Sequence, residues 1–152
     1  MSSLVIREMR IDDLEKSLSL IRKVIIVSNS NDYTETIIKN LLSHYSLSNF
    51  KNVYFKRKYY IALIKSRVIG TVACEENSVY SLFVDPDYQN KGIGKSLLKR
   101  VEEYILKNGY NKSKLSASLT ALSFYKSNGY TEIKRVKNNE LGDVVLMEKK
   151  LN

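Results

Sequence analysis

Apolar residues along this chain follow two periods: strict alternation in some segments and a repeat of three to four residues in others. Alternation is typical of strands, and the longer repeat is typical of amphipathic helices. The alternating segments predict seven strands, at residues 4–9, 59–64, 68–74, 79–84, 115–118, 130–137 and 144–149. The longer repeat predicts four helices, at about residues 13–25, 34–45, 94–107 and 119–127. Strands and helices alternate through the middle and a hairpin closes the end. We therefore expect one domain over residues 1–152, built on a mixed α/β sheet.

Cysteine and histidine are too scarce for two common kinds of site. The chain has one of each, Cys74 and His44, so it can form no intrachain disulfide and no Cys/His zinc centre. The longest aliphatic run, at residues 24–27, is too short to cross a bilayer. The first residues also lack the pattern of a secretory signal. We expect a soluble, cytoplasmic protein with no metal site and no membrane partner.

The charge of the chain is strongly positive and unevenly distributed. Lys and Arg total 25 against 16 Asp and Glu, a net charge of +9, and all of the excess lies in residues 51–152. A basic half can serve nucleic acid, a membrane surface or a phosphorylated small molecule. A lysine-rich surface produced by biased composition gives the same count. Charge alone therefore does not choose a function.

The segment of residues 89–96 connects the strand at 79–84 to the helix at 94–107, and it contains Gly92 and Gly94. Glycines allow a sharp turn and a close approach of the backbone to a ligand. The first amides of a helix lack intrahelical partners, and the helix dipole makes that end positive. Lys91 and Lys95 add charge, so the segment suits a phosphate or pyrophosphate, or else it merely caps the helix. Its spacing fits neither a Walker loop nor a dinucleotide fingerprint.

Two ordered motifs resemble the GNAT (GCN5-related) N-acetyltransferase superfamily. The first is a strand ending in Asp85-Pro86, then Gln89-x-x-Gly92-x-Gly94, which resembles that family's acyl-CoA-binding motif. The second begins at Ala121 and reads Ala-x-x-Phe-Tyr-x-x-x-Gly-Tyr, which is similar to the family's second signature. The resemblance covers residues 78–130 and implies a GNAT-like acyltransferase fold.

The resemblance also implies a site for acetyl-CoA. The two central parallel strands, at 79–84 and 115–118, would splay apart with the pantetheine arm between them. The implied cofactor-binding residues are Leu82, Phe83 and Val84 for pantetheine, Gln89, Asn90, Lys91, Gly92, Ile93, Gly94 and Lys95 for the pyrophosphate, and Ser118 and Tyr125 near the thioester. Ser118 stands where the family often has asparagine, and it can hydrogen-bond or cap the next helix.

The resemblance assigns one catalytic residue and leaves another open. Tyr125 matches the family tyrosine that protonates the departing thiolate. A packing stripe of Ala121, Leu122 and Phe124 would free its hydroxyl to face the cofactor, whereas a purely structural tyrosine is the alternative. Many members carry an acid on the strand that here reads Tyr-Ser-Leu at residues 80–82. Glu75 or Glu76, at the preceding turn, could act as base through a water, or both could be ordinary solvated carboxylates.

Together these observations predict an acetyl-CoA-dependent N-acetyltransferase that acts on an amine of a small molecule or of a peptide. Residues 27–45 and 46–58 would form the acceptor side. A non-catalytic acyl-CoA-binding or interaction module is the main alternative, and a basic nucleic-acid-binding protein is a third. We expect no nucleic-acid partner, and a homodimer is possible.

Overall fold

The computed structural model describes residues 3–152, which form seven strands and five α-helices. The strands are β1 (Val5–Glu8), β2 (Lys58–Ile64), β3 (Arg67–Glu75), β4 (Ser78–Val84), β5 (Lys112–Ser118), β6 (Thr131–Val136) and β7 (Val144–Lys150). The helices are α1 (Leu14–Val27), α2 (Glu35–His44), α3 (Leu47–Tyr54), α4 (Ile93–Lys107) and α5 (Leu122–Ser127).

All seven strands join one sheet in the order β1-β2-β3-β4-β5-β7-β6. Neighbouring strands are antiparallel except β4 and β5, which are parallel. The predicted mixed sheet of seven strands is confirmed. Helix α3 is an addition to the four predicted helices. It has only eight residues, and Phe50 is the one that it buries, so its periodic signal is short.

Helices cover both faces of the sheet. Successive side chains of β2 therefore enter two different cores. Tyr60 and Ala62 join the core beneath α4, whereas Tyr59 and Ile61 join the core beneath α1 and α3. Strand β3 is buried along nearly its whole length because it lies between these two cores. The alternating pattern therefore fills two cores from one sheet.

Strands β4 and β5 separate soon after they begin, as the resemblance to the GNAT family implies. They pair only at Ser78 with Lys114 and at Val79 with Leu115. On its other side, β4 contains a bulge, because Ala73 pairs with Tyr80 and Thr71 pairs with Phe83. Two residues of β4 thus face one residue of β3, which bends the bulged strand. The sheet opens into a wedge beyond the bulge.

A tyrosine from the connection between α1 and α2 fastens the loops beside this wedge. The hydroxyl of Tyr33 accepts a hydrogen bond from the Leu119 amide at 2.8 Å and donates one to the Asp143 carbonyl at 2.9 Å. Its ring occupies the space that a Cβ on Gly142 would need, and Gly142 has a φ of +91°. The end of β5 and the β6–β7 loop are therefore held to the N-terminal half of the chain.

A buried polar network holds α4 to the last strands of the sheet. The hydroxyl of Tyr130 donates to the Glu102 carboxylate at 2.8 Å, so the Ser113 hydroxyl, 2.7 Å away, donates to Tyr130. Lys149 forms an ion pair with Glu102 at 3.0 Å. Each of these groups would be costly to bury without its partner.

We therefore expect Tyr130→Phe to destabilise the protein. Removal of the hydroxyl deprives the Glu102 carboxylate of a donor and the Ser113 hydroxyl of an acceptor, at a cost of about 1–3 kcal/mol in the free energy of unfolding. Chemical denaturation would measure the loss. The matched control is Tyr110→Phe, because Tyr110 is at the surface and its hydroxyl bonds nothing in residues 3–152. Equal stability of the two variants would contradict this account of the network.

Candidate functional site

The wedge between β4 and β5 opens into a cavity of about 360 Å³. Its walls are the end of β4, the β4–α4 loop, the first turn of α4, the end of β5 and helix α5. The structure brings together there all of the predicted cofactor-binding residues except Lys91: Leu82, Phe83, Val84, Gln89, Asn90, Gly92, Ile93, Gly94, Lys95, Ser118 and Tyr125. The cavity is therefore built from both of the motifs that the sequence showed.

The β4–α4 loop turns sharply so that α4 begins at the wall of the cavity. Asn90 and Gly92 have left-handed φ values of +63° and +80°. The first bond within the helix runs from the Ser96 amide to the Gly92 carbonyl, at 3.0 Å. The amides before Ser96 have no carbonyl one turn behind them inside the helix. The α4 terminus therefore presents free donors and a positive dipole to the cavity, which suits an anionic group.

Gly94 allows α4 and α5 to approach each other closely. A Cβ built at this position would lie 3.2 Å from two ring carbons of Phe124. Phe124 itself lines the cavity, so a side chain on Gly94 would push against one of its walls. The absence of a Cβ keeps the cavity open beside the helix terminus.

Gln89, an exposed residue, ties the loop to β4 and to the turn after α1. Its side-chain amide donates to the Val84 carbonyl at 3.1 Å and to the Ser28 hydroxyl at 3.4 Å. Lys91 is not among the lining residues, and its ammonium lies 5.4 Å from the centre of the Tyr88 ring, which does line the cavity. Lys95 is thus the one charged residue among the cavity-lining residues of the described chain.

Asp85 fixes the turn that leads from β4 into this loop. Its carboxylate is almost fully buried and accepts hydrogen bonds from the Asp87 amide at 3.0 Å and from Lys23 at 3.0 Å. Arg67 lies 3.3 Å from its other oxygen. Burial raises the pKa of Asp85, but these donors outweigh burial and hold that pKa below its ordinary value. The Asp85 carboxylate therefore stays ionised and holds the turn through these hydrogen bonds.

Tyr125 is the most deeply buried residue of α5, and it also lines the cavity. Its ring packs edge-on against Phe124 and Tyr130, with centroids 5.4 and 5.7 Å away. The ring of Tyr125 belongs to the core, Phe124 packs against that core, and both residues line the cavity. The Tyr125 hydroxyl forms no hydrogen bond within residues 3–152.

Burial raises the pKa of Tyr125 well above the ordinary value of a phenol, and the neighbouring phenol of Tyr45 raises it further. The hydroxyl therefore keeps its proton at neutral pH. A protonated hydroxyl without a protein partner, at the wall of a cavity, can serve as a proton donor to a bound group.

Ser118 lies at the end of β5, opposite β4. Its hydroxyl accepts a hydrogen bond from the Ala121 amide at 3.2 Å. This bond supports the turn that leads into α5, but it does not cap that helix, whose N-cap residue is Ala121. Of the two expected roles, Ser118 has the hydrogen bond and not the cap. Ser118 therefore lines the cavity and also helps to set the direction of α5.

Glu75 and Glu76 do not lie with the other predicted site residues. Both are exposed at the β3–β4 turn, beside the first residue of β4, whereas the cavity begins at Leu82. Glu75 forms an ion pair with Arg57 at 3.3 Å. The role of these glutamates as a base stays a prediction, and the geometry gives it no support.

Several lining residues carried no local signal in the sequence. Val24, Ser28 and Asn29 come from the end of α1 and the turn after it, and Tyr88 and Thr120 come from loops. Ser28 and Asn29 read only as a helix-breaking stretch. They reach the cavity because α1 crosses the sheet above β3 and β4, which no local pattern encodes.

Residues 3–152 lack two features, a membrane-spanning helix and a cluster of metal-ligating side chains. No helix in that range is long and apolar enough to cross a membrane. The same residues contain no cluster of three or more His, Cys, Asp or Glu side chains placed to hold a metal ion.

Comparisons with known proteins agree with this geometry. A sequence profile described as an acetyltransferase (GNAT) domain matches residues 29–151. The chain is 24% identical over 135 residues to an uncharacterised N-acetyltransferase, YafP, of Escherichia coli, covering 89% of this chain and 86% of the relative.

Solved structures show the same fold. A GCN5-related N-acetyltransferase from Rhodopseudomonas palustris superposes with a TM-score of 0.91 at 22% identity, covering 99% of this chain and 98% of the other. The PaiA N-acetyltransferase of Thermoplasma acidophilum, solved in complex with coenzyme A, superposes with a TM-score of 0.82 at 25% identity, covering 97% and 99%. With the profile matched over most of its length, this chain belongs to the GNAT family of N-acetyltransferases.

Proposed function

We propose that this protein transfers the acetyl group of acetyl-CoA to a primary amine by direct attack of the amine on the thioester. The observation that carries the proposal is the wedge between β4 and β5, which opens onto the free amides of α4. A slot between strands that ends at a helix N-terminus suits a long thioester arm attached to a pyrophosphate. The acceptor is a small molecule or a peptide amine.

The residues present fit such a co-substrate. The pyrophosphate would bind to the amides from Gln89 to Lys95, where the helix dipole favours negative charge. The pantetheine arm would lie in the wedge and bond backbone groups of Leu82, Phe83 and Val84, which have no β5 partner. Because Gly94 has no Cβ, space remains between the region proposed for the pyrophosphate and the region proposed for the pantetheine arm.

Three tasks then fall to the protein during the reaction. It must hold the amine near the thioester carbon, provide a route for the amine proton, and stabilise the departing thiolate. As the new C–N bond forms and the C–S bond breaks, the thiolate sulfur takes a proton. We assign that proton to the Tyr125 hydroxyl, which is protonated and has no bond to another described residue.

The acceptor side is proposed on the face of the sheet that carries α2 and α3. Tyr45, at the end of α2, packs its ring edge-on against Phe83, with centroids 5.6 Å apart, and Phe83 lines the cavity. An amine that enters beside α2 would therefore reach the wedge from the side opposite α4. This supports the assignment of residues 27–58 to acceptor binding.

One observation favours a second candidate, a non-catalytic module that binds acyl-CoA. No carboxylate or imidazole is among the cavity-lining residues of the described chain. A protein that only binds acyl-CoA needs no such group. Direct acetyl transfer, by contrast, needs a route for one proton.

An acceptor screen separates the two candidates. Purified protein is incubated with acetyl-CoA and a panel of polyamines, amino acids, aminated sugars and peptides with free N-termini. Free thiol and the mass of the acetylated amine are then measured. The proposal expects thiol release with one matching acetylated product. Tight binding of acetyl-CoA without transfer to any amine would favour the module.

The binding loop can be tested by Gly92→Asp. A carboxylate placed beside the α4 amides would compete with the pyrophosphate and repel it, so we expect affinity for acetyl-CoA to fall by roughly tenfold or more. Calorimetric titration would measure this affinity.

The matched control for the loop is Gly109→Asp, at the other end of the same helix. Gly109 has a φ of +94°, close to the +80° of Gly92, and a Cβ added to either glycine would meet no neighbour within 4 Å. The two variants therefore carry similar backbone strain, but only Gly92→Asp should lose the ligand. Similar affinity in both would remove the loop from the site.

The proposed proton donor can be tested by Tyr125→Phe. The variant keeps the ring and its packing, and the lost hydroxyl has no protein partner in residues 3–152. We expect kcat to fall by about 10²–10⁴-fold, with little change in the affinity for acetyl-CoA or in Tm. Steady-state kinetics, calorimetry and thermal melting would measure the three quantities.

Two results would contradict this assignment. If kcat stays within a few-fold of the wild-type value while chemistry limits the rate, Tyr125 is not the proton donor. If Tm falls and activity falls in proportion, the residue is structural.

A further inference from the structure

The connection between α1 and α2 and the loop between β6 and β7 are acidic segments in a basic protein. Residues 27–35 and 138–143 contain no lysine or arginine but four carboxylates, those of Asp32, Glu35, Glu140 and Asp143. The ion pairs within residues 3–152 all use other carboxylates. We call these four residues the acidic junction.

Hydrogen bonds hold the two segments against each other beside the end of β5. Tyr33 donates to the Asp143 carbonyl at 2.9 Å, and the Asn40 side chain donates to the Glu140 carbonyl at 2.9 Å. Burial raises the pKa of the Tyr33 hydroxyl, and the nearby charges of Asp32 and Asp143 raise it further. The two segments therefore form one surface, although they are far apart in sequence.

Asp32 connects this surface to the wall of the cavity. Its carboxylate accepts a hydrogen bond from the Thr120 hydroxyl at 2.8 Å, and Thr120 lines the cavity. Its amide donates to the carbonyl of Asn29 at 3.0 Å, and Asn29 lines the same cavity. Asp32 itself is exposed. Its carboxylate therefore lies just outside the cavity, one hydrogen bond away from the wall.

Asn29 has a buried side-chain amide without a protein partner. The residue is 8% exposed, and its side chain forms no hydrogen bond within residues 3–152. Buried amides of this kind, which can both donate and accept, are nearly always hydrogen-bonded in native proteins. Because Asn29 lines the cavity, its amide indicates a place for a polar group of a bound molecule.

The cations near the cavity do not offer a second, competing site for an acidic acceptor. Arg57 pairs with Glu75 at 3.3 Å and lies over the ring of Tyr80, 3.7 Å from its centre. Lys95, the one charged lining residue of the described chain, belongs to the α4 terminus at which the pyrophosphate is proposed to bind. An acceptor that carries a carboxylate would therefore meet like charge at the acidic junction.

We propose that the acceptor is an aliphatic amine with a second cationic group, which Asn29 orients in the cavity and Asp32 selects by its charge. This inference rests on the proposed acetyl transfer. Attack on the thioester requires a neutral amine, and the Asn29 carbonyl oxygen can accept a hydrogen bond from its N–H group. The second ammonium remains charged outside the cavity wall, where the carboxylate of Asp32 attracts it.

The test of Asp32 compares two acceptors, diaminobutane with an amine at each end and butylamine, which has the same chain length and no second ammonium. We expect the wild-type kcat/KM to be roughly tenfold higher for diaminobutane, more than its two identical ends explain. In Asp32→Asn, an amide oxygen can still accept the Thr120 bond, but the charge is lost. KM for diaminobutane should rise by roughly two- to fivefold at unchanged kcat, and KM for butylamine should stay as in wild type.

The matched control is Asp12→Asn, which removes the same charge from the same residue type. Asp12 is exposed, lies outside both acidic segments, and its side chain forms no hydrogen bond or ion pair within residues 3–152. This variant should keep the wild-type preference. An equal rise of KM in both variants, or a wild-type protein that uses butylamine as efficiently as diaminobutane, would overturn the role of Asp32.

Asn29→Leu tests the orienting residue separately. The variant keeps a side chain of similar size and removes an amide that bonds nothing else in the described chain, so Tm should stay or rise. We expect kcat/KM to fall by roughly three- to tenfold for both amines, with unchanged affinity for acetyl-CoA in calorimetric titration. Lost affinity for acetyl-CoA would assign Asn29 to the cofactor instead, and a lower Tm with a proportionate loss of activity would make it structural. Either result would overturn its role.

Calorimetric titration of diaminobutane into the protein saturated with coenzyme A gives a readout that does not depend on activity. Binding to the wild type that weakens in Asp32→Asn is the expected result. Acetylation of amines with no preference for the diamine would overturn this inference and leave the proposed function intact. Transfer to no amine at all would overturn the proposed function, and this inference with it.

Discussion

The separation of β4 from β5 is the constraint on which the rest of this structure depends. Two parallel strands that stayed paired would satisfy each other's backbone groups and leave no space between them. Here the pairing ends after Val79, and the bulge at residues 81 and 82 bends β4 away. The freed backbone and the open wedge then form the floor of the cavity.

The other elements keep that wedge open without collapse of the core. The packing of α4 beneath the sheet and the network of Tyr130, Glu102 and Ser113 hold the two halves of the sheet together below the gap. At the open end, Tyr33 bonds the turn after β5 and the β6–β7 loop to the N-terminal half of the chain. The gap therefore stays open because hydrogen bonds hold the segments on both sides of it in place, and not because side chains fill it.

The parts of the site that the sequence predicted are those encoded locally. Gly92 and Gly94 mark a turn that needs a left-handed residue and a helix contact that tolerates no Cβ, and both requirements lie within one short segment. The contributions of Ser28 and Tyr33 depend on how α1 crosses the sheet, which involves contacts between residues far apart in sequence. The burial of Tyr125 likewise depends on a contact with Tyr130 that no local pattern predicts, although Tyr125 also lines the cavity.

The bulge illustrates the same limit most clearly. Ser81 sits in a segment that reads as an ordinary strand, and nothing in its neighbours signals a left-handed φ. The conformation arises from pairing with β3 and from the Thr71 hydroxyl, ten residues earlier in the chain. The carboxylates that precede Ser81 most closely along the chain, Glu75 and Glu76, are exposed at the β3–β4 turn.

Amide hydrogen exchange with and without coenzyme A tests the central claim most directly. If the wedge holds the coenzyme, amides of residues 82–84 and 92–95 should exchange more slowly in its presence. The edge strands β1 and β6 should exchange at unchanged rates. Binding of coenzyme A with protection elsewhere in the sheet, and none at these two segments, would contradict the account.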